Sequence, residues 1–563
     1  MEITWKTHEV TNQVSELENY NLFTTDAVLT AYFTKNKVEW ANQKLVETGE
    51  RIGTTFAYHQ ALVANQITPV LKAFDTRGNR KDFVEFHPAW HWFMQFCKKT
   101  GMISIPVGSD KKHRWPYFAT TFMLLSQVED GSMCPTIMTL GSIPLLQKEP
   151  KLWEILKDKL LSQEYDERDI PIAEKTSIWI GMGMTEKQGG SDVRSNTTVA
   201  FPMSKSGRGE AYQIRGHKWF FSAPMSDAHL VVARTSDTDS LACFFVPRWK
   251  LDGTKNPILI QQLKNKVGNK SNSSSEVEFQ DAWGIMIGEE GRGIPTIIEM
   301  ANYTRLACVL GASGIMRQAT VQALYYARNR DVFGKKLYDQ PLMRNVLIDF
   351  ALTSEATQHL GLKLAEAFEN GDTDLSSKAW KRIVTPAAKY WCCKRSESLT
   401  AEAMEVFGGN GYVEESVMAR LFKEAPVNSI WEGSGNVMCL DVLRAINKEP
   451  KLVEILFAEL SEISENNQYL VKALSHVTAL LSNPQTLETQ ARTLTEKLIL
   501  IVQACLLLKN APSFVSDAFI KTRIEKPLSV HYGALDLETI EETKILERAF
   551  PLNFSMNINV EKK

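Results

Sequence analysis

SIWIGMGMTEKQGGSDV, residues 177–193, marks where the chain changes texture. An apolar run leads into a polar turn carrying Gly189-Gly190, and short β-type runs follow as far as about Gly288. They are YQIRGHKWFF, HLVVART, LACFFVPRW, PILIQQL and EVEFQDAWGIMI, separated by turn clusters at Ser204–Gly209, Ser236–Ser240 and Asn269–Ser275. Strands this short with polar turns predict a small antiparallel barrel or sandwich. Working outward, Trp115–Val128 and Leu152–Leu161 before it place apolar residues at three- and four-residue spacing. Ile294–Arg330, Leu342–Asn370 and Ser377–Phe407 after it do the same, with charges on the opposite face. Gly371-Asp372 and Gly408-Gly409 read as helix stops. Beyond Pro450 the helix-like segments break at Asn483-Pro484, Ala511-Pro512 and Lys526-Pro527. The expected fold class is mainly α with a central β domain. It divides into an N-terminal helical domain (1–176), a β-barrel domain (177–290), a helical bundle (291–450) and a C-terminal helical extension (451–563).

A chain of 563 residues, 44% hydrophobic and 23% charged, has the composition of a multidomain globular protein and excludes disordered or collagen-like structure. With 64 Lys and Arg against 66 Asp and Glu, the net charge is −2, so no whole-molecule attraction to nucleic acid or anionic membrane is expected. The eight cysteines are scattered without a CxxC pair, which reads as reduced thiols in a cytosolic protein. MEITWKTHEV has neither a signal-peptide core nor an Arg-rich transit pattern. Leu498–Leu508, the most apolar stretch, lies between Lys497 and Lys509 and falls far short of the roughly 20 residues that span a bilayer. A soluble, cytoplasmic protein without membrane contact is expected.

There is no GxGxxG opening a helix, no GxxxxGK[ST], no GxSxG and no HExxH. His87 and His91 in FHPAWH could share a helical face, but Pro88 and the lack of a third ligand favour a packed or capped turn, and no metal site is expected. In Met182–Val193, the glycine pair lets backbone approach a ligand, with the hydroxyls of Thr185 and Ser191 beside it; a polar hairpin turn is the alternative, and local physics does not choose. In Val427–Asn436, VNSIWEGSGN, Glu432 sits between an indole and a glycine after the cluster FGGNGY at Phe407–Tyr412. A carboxylate beside apolar surface has its charged form disfavoured and becomes a useful base. A helix-capping carboxylate with Ser434 nearby is the alternative.

These residues carry a family resemblance. TEKQGGSD resembles the TEPxAGSD signature of acyl-CoA dehydrogenases, IWEGS their IYEGT, Arg330-Asp331-Val332-Phe333-Gly334 their RxxFG, and FGGNGY their GGxGY, in family order. FHPAWH, GMGMTEKQGGSDV, HKWFFS, QPLMR, EAMEVFGG and VNSIWEGSGN resemble more closely the AidB-like subfamily, associated with the adaptive response to alkylation, through nearly the first 450 residues. The resemblance implies a homotetrameric flavoprotein with one FAD per subunit, held between the β domain and the helices. It implies that Met182, Thr185, Gly190 and Ser191 line the flavin and the acyl thioester. Phe220 would pack on the flavin ring and Ser222 would bond it near N5. Arg330, Phe333, Gln340, and the Gly408 and Gly409 backbone would reach a neighbouring subunit's FAD. Ser434 and Asn436 would lie near its phosphate-bearing arm, with Trp431 and Gly433 beside the cofactor. Glu432 aligns with the family's catalytic base. Other members carry that base just before a conserved arginine, here Thr304-Arg305, 25 residues before Arg330, and threonine cannot act as the base at neutral pH. Lys187 and Gln188 depart from the family turn, and the spacing from RxxFG to Gln340 is one residue short.

The subfamily also implies double-stranded DNA binding through a basic C-terminal domain. Residues 451–563 hold 12 Lys and Arg against 14 Asp and Glu, and the one cluster, Lys521, Arg523 and Lys526, is interrupted by Glu525. Binding driven by phosphate neutralisation needs a concentrated positive surface, so a solvated helix face is the expectation there. A helix as apolar all round as Leu498–Leu508 is expected to be buried, within the subunit or at a tetramer interface. Three readings follow. The first is a slow or selective FAD-dependent acyl-CoA dehydrogenase, converting an acyl-CoA to the 2,3-enoyl-CoA with electron-transfer flavoprotein as the family's usual partner. The second is a DNA-binding flavoprotein protecting against alkylation, and the third an acyl-lipid-binding protein. The first is the expected chemistry, and an alkylation response the expected setting.

Overall fold

The structure is a computed structural model that describes residues 7–371, 373–483, 485–526 and 529–556. The first six residues and the expected breaks at Asp372, Pro484 and Pro527 lie outside the described residues.

Helices dominate before residue 162, but a β-hairpin interrupts them: β1 (Val70–Phe74) and β2 (Arg80–Glu85). Asp75 forms its turn, accepting from the backbone N–H groups of Arg77 (2.8 Å) and Asn79 (2.9 Å). The helical expectation fails here because β1 is half exposed along its length and so carries no apolar stripe to read. Three helices of this part bear on the site: α1 (Pro88–Lys99), α2 (Arg114–Ser126) and α3 (Met133–Leu146). His87 caps α1, its Nδ1 accepting from the Ala89 N–H at 3.2 Å, while His91 bonds the Tyr165 hydroxyl at 2.6 Å.

The β domain comprises β3 (Ile180–Gly183), β4 (Val199–Pro202), β5 (Ala211–Ser222), β6 (Ala228–Thr235), β7 (Leu241–Pro247), β8 (Ile258–Leu263) and β9 (Ser274–Ile287). The order β6-β4-β5-β9-β7 closes through the β6–β7 pair, with β3 added beside β6 and β8 beside β9. Alternate residues fill its interior, among them Tyr212, Ile214, Val231, Phe244, Val277 and Phe279. The barrel is not purely antiparallel, because β3 and β4 both run parallel to β6. A two-residue turn cannot make such pairs; the loop after β3 and the β4–β5 excursion carry the chain far enough to re-enter in the same direction.

A 37-residue helix, α4 (Gly293–Asn329), runs through the bundle as its buried axis. The short hairpin β10 (Asp331–Val332) and β11 (Lys335–Lys336) follows, then α5 (Pro341–Asn370), α6 (Thr385–Val406), α7 (Val417–Ile430) and α8 (Gly435–Lys448). In the extension, helices Pro450–Ser464 and Gln468–Leu481 precede α9 (Ala491–Asn510). Residues 498–507 of α9 are buried against α5, α6 and α8 of the same subunit. Of the expected solvated cluster only Lys526 is exposed, with Lys521 half-buried. Arg523 is buried in an ion pair with Asp349 of α5, and Lys521 and Lys526 both pair with Asp536. No helix among the described residues is long and apolar enough to cross a membrane.

Candidate active site

The turn after β3 is built on a buried ion pair. Glu186 and Lys218 are both fully buried, Oε1 to Nζ 2.8 Å, and Glu186 also accepts from the backbone of Thr197 (2.7 Å) and Thr198 (3.2 Å) and from Gln188 Nε2 (2.8 Å). Burial alone would raise the Glu186 carboxyl, but Lys218 and these donors hold it at about 2. Burial lowers Lys218 to about 8 despite that carboxylate. The Gly189 N–H closes the turn on the Glu186 carbonyl at 3.0 Å, with φ +142° at Gly189. Met182, on β3, and Thr185 are half-buried, and Gly190 and Ser191 are exposed. The Thr185 carbonyl accepts from the Trp219 N–H at 2.9 Å, which lays β5 alongside. On β5 the Phe220 ring is 53% exposed, and the Ser222 hydroxyl is half-buried, 3.4 Å from that of Ser274.

Glu432 stands in the short link between α7 and α8, at φ +60°, a left-handed backbone that costs a non-glycine residue energy and recurs at functional sites. Gly433 continues the kink at φ +110°. The Thr304 hydroxyl, buried in α4, donates to Glu432 Oε2 at 2.7 Å, and Arg305 Nε donates to the Glu432 carbonyl at 3.2 Å. Arg305 is itself held by Asp441 at 2.8 Å. No hydrogen bond from a described residue reaches Oε1. Burial raises the carboxyl above its ordinary 4.5, while Thr304, Arg305 and Lys389 partly offset it. The capping alternative does not describe Glu432. Ser434 occupies the N-cap position of α8, yet its side chain makes no capping bond. Trp431 donates to Asn428 Oδ1 at 3.1 Å. Burial, chiefly, pushes the thiol of Cys134, in α3, to about 12.

The remaining expected residues are exposed or engaged elsewhere. Phe333 is 99% exposed with φ +50° at the tip of the β10–β11 hairpin. The Arg330 guanidinium donates to the Asn12 carbonyl, and Asn12 brackets the Asp331 backbone at 2.7 and 2.8 Å. Gln340 Nε2 donates to the Val332 carbonyl at 3.2 Å. A Cβ on Gly408 or Gly409 would meet nothing within 4 Å. Asn436 Oδ1 accepts from Arg492 Nε at 2.8 Å. Sequence reasoning missed Cys134, the Glu186–Lys218 pair, Arg492, and Thr304 as a partner of Glu432. A lysine in the otherwise inward-facing pattern of β5 was the one local signal.

Residues 181–282 and 291–447 match the middle and C-terminal domains of acyl-CoA dehydrogenases, and residues 12–167 the N-terminal domain of the adaptive response protein AidB. The chain is 43% identical over 523 residues to the AidB protein of Escherichia coli (strain K12), covering 92% of this chain and 95% of that one. It is 31% identical to acyl-CoA dehydrogenase family member 11 of Caenorhabditis elegans, over 73% and 67% of the two chains. Among solved structures, Caenorhabditis elegans ACDH-11 in complex with C11-CoA superposes with a TM-score of 0.83 at 25% identity, covering 96% and 98%. The apo form of Bd2924 gives 0.80 at 28%, covering 90% and 100%. The chain therefore belongs to the acyl-CoA dehydrogenase family of FAD-dependent oxidoreductases, in its AidB-like branch.

The residues present suit FAD. Phe220 offers a half-exposed aromatic ring with Lys264 Nζ 4.7 Å from its centroid, Thr185, Ser191 and Ser222 offer hydroxyls, and the uncapped end of α8 offers backbone N–H groups to an anion.

Proposed function

We propose that the chain oxidises an acyl-CoA to its 2,3-enoyl-CoA, with Glu432 removing the α proton. The observation that carries this is the Glu432 carboxylate itself. It is set on a strained link, made more basic by burial and steadied on one oxygen by Thr304, while no described residue bonds the other. An oxygen so placed can take a proton in a site that burial makes less aqueous. FAD, when bound, supplies the acceptor for the hydride leaving the β carbon. Met182, Thr185, Gly190, Ser191, Phe220, Ser222, Trp431, Gly433, Ser434 and Asn436 would hold it from this subunit, and Arg330, Phe333, Gln340, Gly408 and Gly409 from a neighbour in a homotetramer. Thr304 holds Glu432 in position and lowers the cost of its charge. Arg305, through the Glu432 carbonyl, fixes the kinked backbone.

The domain boundaries at 176, 290 and 450, a cytoplasmic location, reoxidation by an electron-transfer flavoprotein and a setting in the response to alkylation belong to the same proposal. The similarity to the AidB N-terminal domain supports the last of these. Duplex DNA is not part of it, because Lys521, Arg523 and Lys526 are paired with carboxylates. Anaerobic titration with short, branched and long acyl-CoAs tests the reaction. One of them bleaches the oxidised flavin spectrum of the wild type, and Glu432→Gln slows that bleaching by at least about a thousandfold while still binding the thioester. A yellow protein that every thioester leaves oxidised would exclude the dehydrogenase reading.

A further inference from the structure

The loop between β8 and β9 turns a cation inward without an ion pair. Lys264, at its start, is held by Glu276 at 2.6 Å. Lys266, half-buried two residues on, forms no salt bridge with a carboxylate among the described residues. Its Nζ donates instead to the Asn272 carbonyl at 2.7 Å and to the Ser274 hydroxyl at 3.3 Å. The Ser274 hydroxyl lies 3.4 Å from that of Ser222 on β5. A neutral amide could make the same two bonds, so fastening the loop does not explain the charge. Burial lowers the ammonium to about 8, opposed by Cys134, Glu424 and Glu129, so it is still charged at neutral pH. Asn272 beside it is 1% exposed, and neither Nδ2 nor Oδ1 of its side chain has a partner among the described residues. A buried carboxamide left free at both ends, next to an unpaired cation, calls for a polar occupant.

On the reading that FAD binds with its ring at Ser222, we propose that Lys266 is a positioning residue of the flavin site that makes the cofactor easier to reduce, acting through Ser274 and Ser222. The proposed reaction delivers a hydride, one proton with two electrons, while the α proton goes to Glu432. The bound ring, neutral when oxidised, is left one unit more negative. A fixed cation tied through Ser274 to Ser222 stabilises that added charge, and does so more strongly where burial excludes water. The uncharged oxidised ring gains far less from it, and a reduction potential measures the difference between the two states. The Asn272 backbone carbonyl fixes the ammonium's direction.

The test is the reduction potential of full-length, FAD-loaded protein, measured against a reference dye during slow anaerobic reduction. Lys266→Met should lower the two-electron potential by at least about 30 mV, a tenfold shift in the equilibrium. Lys266→Gln, which keeps a donor but no charge, should fall with it, and Lys266→Arg, which keeps the charge, should lie close to wild type. Neutral variants that stay within about 10 mV of wild type would overturn the proposal. So would equal losses of affinity for oxidised and reduced FAD, which a merely structural role would give. Wild-type protein that takes up no FAD would overturn the cofactor reading, and this proposal with it. A lowered potential in a protein that no thioester bleaches would uphold the proposal while the dehydrogenase reading falls alone.

Discussion

Thr304 stands at the position where a carboxylate would be an alternative base, and it donates its hydroxyl to Glu432, the base we propose. One site therefore places a proton acceptor and its hydrogen-bond donor at two positions of the family motif. The bond stabilises the ionised form, so its loss moves the carboxyl further up. On the proposed mechanism flavin reduction needs Glu432 deprotonated, so its rate should rise with pH through an acid limb centred above 4.5. Thr304→Val should shift that limb upward by about one unit and lower the rate below it about tenfold, with little change on the alkaline plateau. Stopped-flow reduction across pH 5 to 9 reads both. An unmoved limb would mean that the hydroxyl does not sense the charge. Glu432 was legible as a candidate because its motif is contiguous. Thr304's bond to it was not, because 128 residues separate the two.

At the scale of elements, β5 turns Lys218 inward at a place where an apolar side chain would pack, and it does so to neutralise Glu186. Removing one partner strands the other charge in the interior, which costs about 3 to 5 kcal/mol. Lys218→Met should lower the unfolding free energy read from urea titration by that amount, and the double variant with Glu186→Gln should recover most of it. A single variant as stable as wild type would show the carboxyl to be protonated or hydrated. The same elements show what sequence could convey. The helices at 294–330 and 342–370 were legible from continuous apolar stripes, and the bounds found, Gly293–Asn329 and Pro341–Asn370, differ by one residue at each displaced end. Short β-type runs revealed six of the barrel's strands but not β4 (Val199–Pro202) and not their direction, so the parallel pairs of β6 were invisible. In the β1–β2 hairpin, β1 lacked a buried face to announce it. Arg492 was illegible because its partner lies 56 residues away, on a different helix.

Over the whole molecule, the β domain and the helices meet through buried carboxylates. The loop between β8 and β9 enters against α7. The Asn269 N–H and Nδ2 donate to Glu424 at 2.7 and 3.2 Å, and the Ser271 hydroxyl donates to Glu129 at 2.5 Å. Gly268 packs so closely that a Cβ there would lie 1.9 Å from the Lys423 carbonyl oxygen. Asp130, bonded by Ser126 at 2.7 Å, completes the group, faced by Arg420 of α7 and by Lys266 of the loop. Burial first, then the neighbouring carboxylates, pushes Glu424 up to about 7, and burial, with a smaller push from Glu129, raises Asp130 to about 6. The folded protein therefore keeps protons that the unfolded chain has already released. Their stabilisation is full below about pH 4, where both states are protonated, and is lost as pH rises through about 6 and 7. Glu424→Gln mimics the protonated carboxyl, and Asn269 Oδ1, which has no partner among the described residues, can turn to accept from the new amide. The variant should match wild type near pH 5 and exceed it by about 1 to 3 kcal/mol at pH 8, read from urea unfolding at both pH values. A difference that stays constant with pH would mean that Glu424 is ionised in the folded protein, with Lys266 and Arg420 outweighing both its burial and its neighbours.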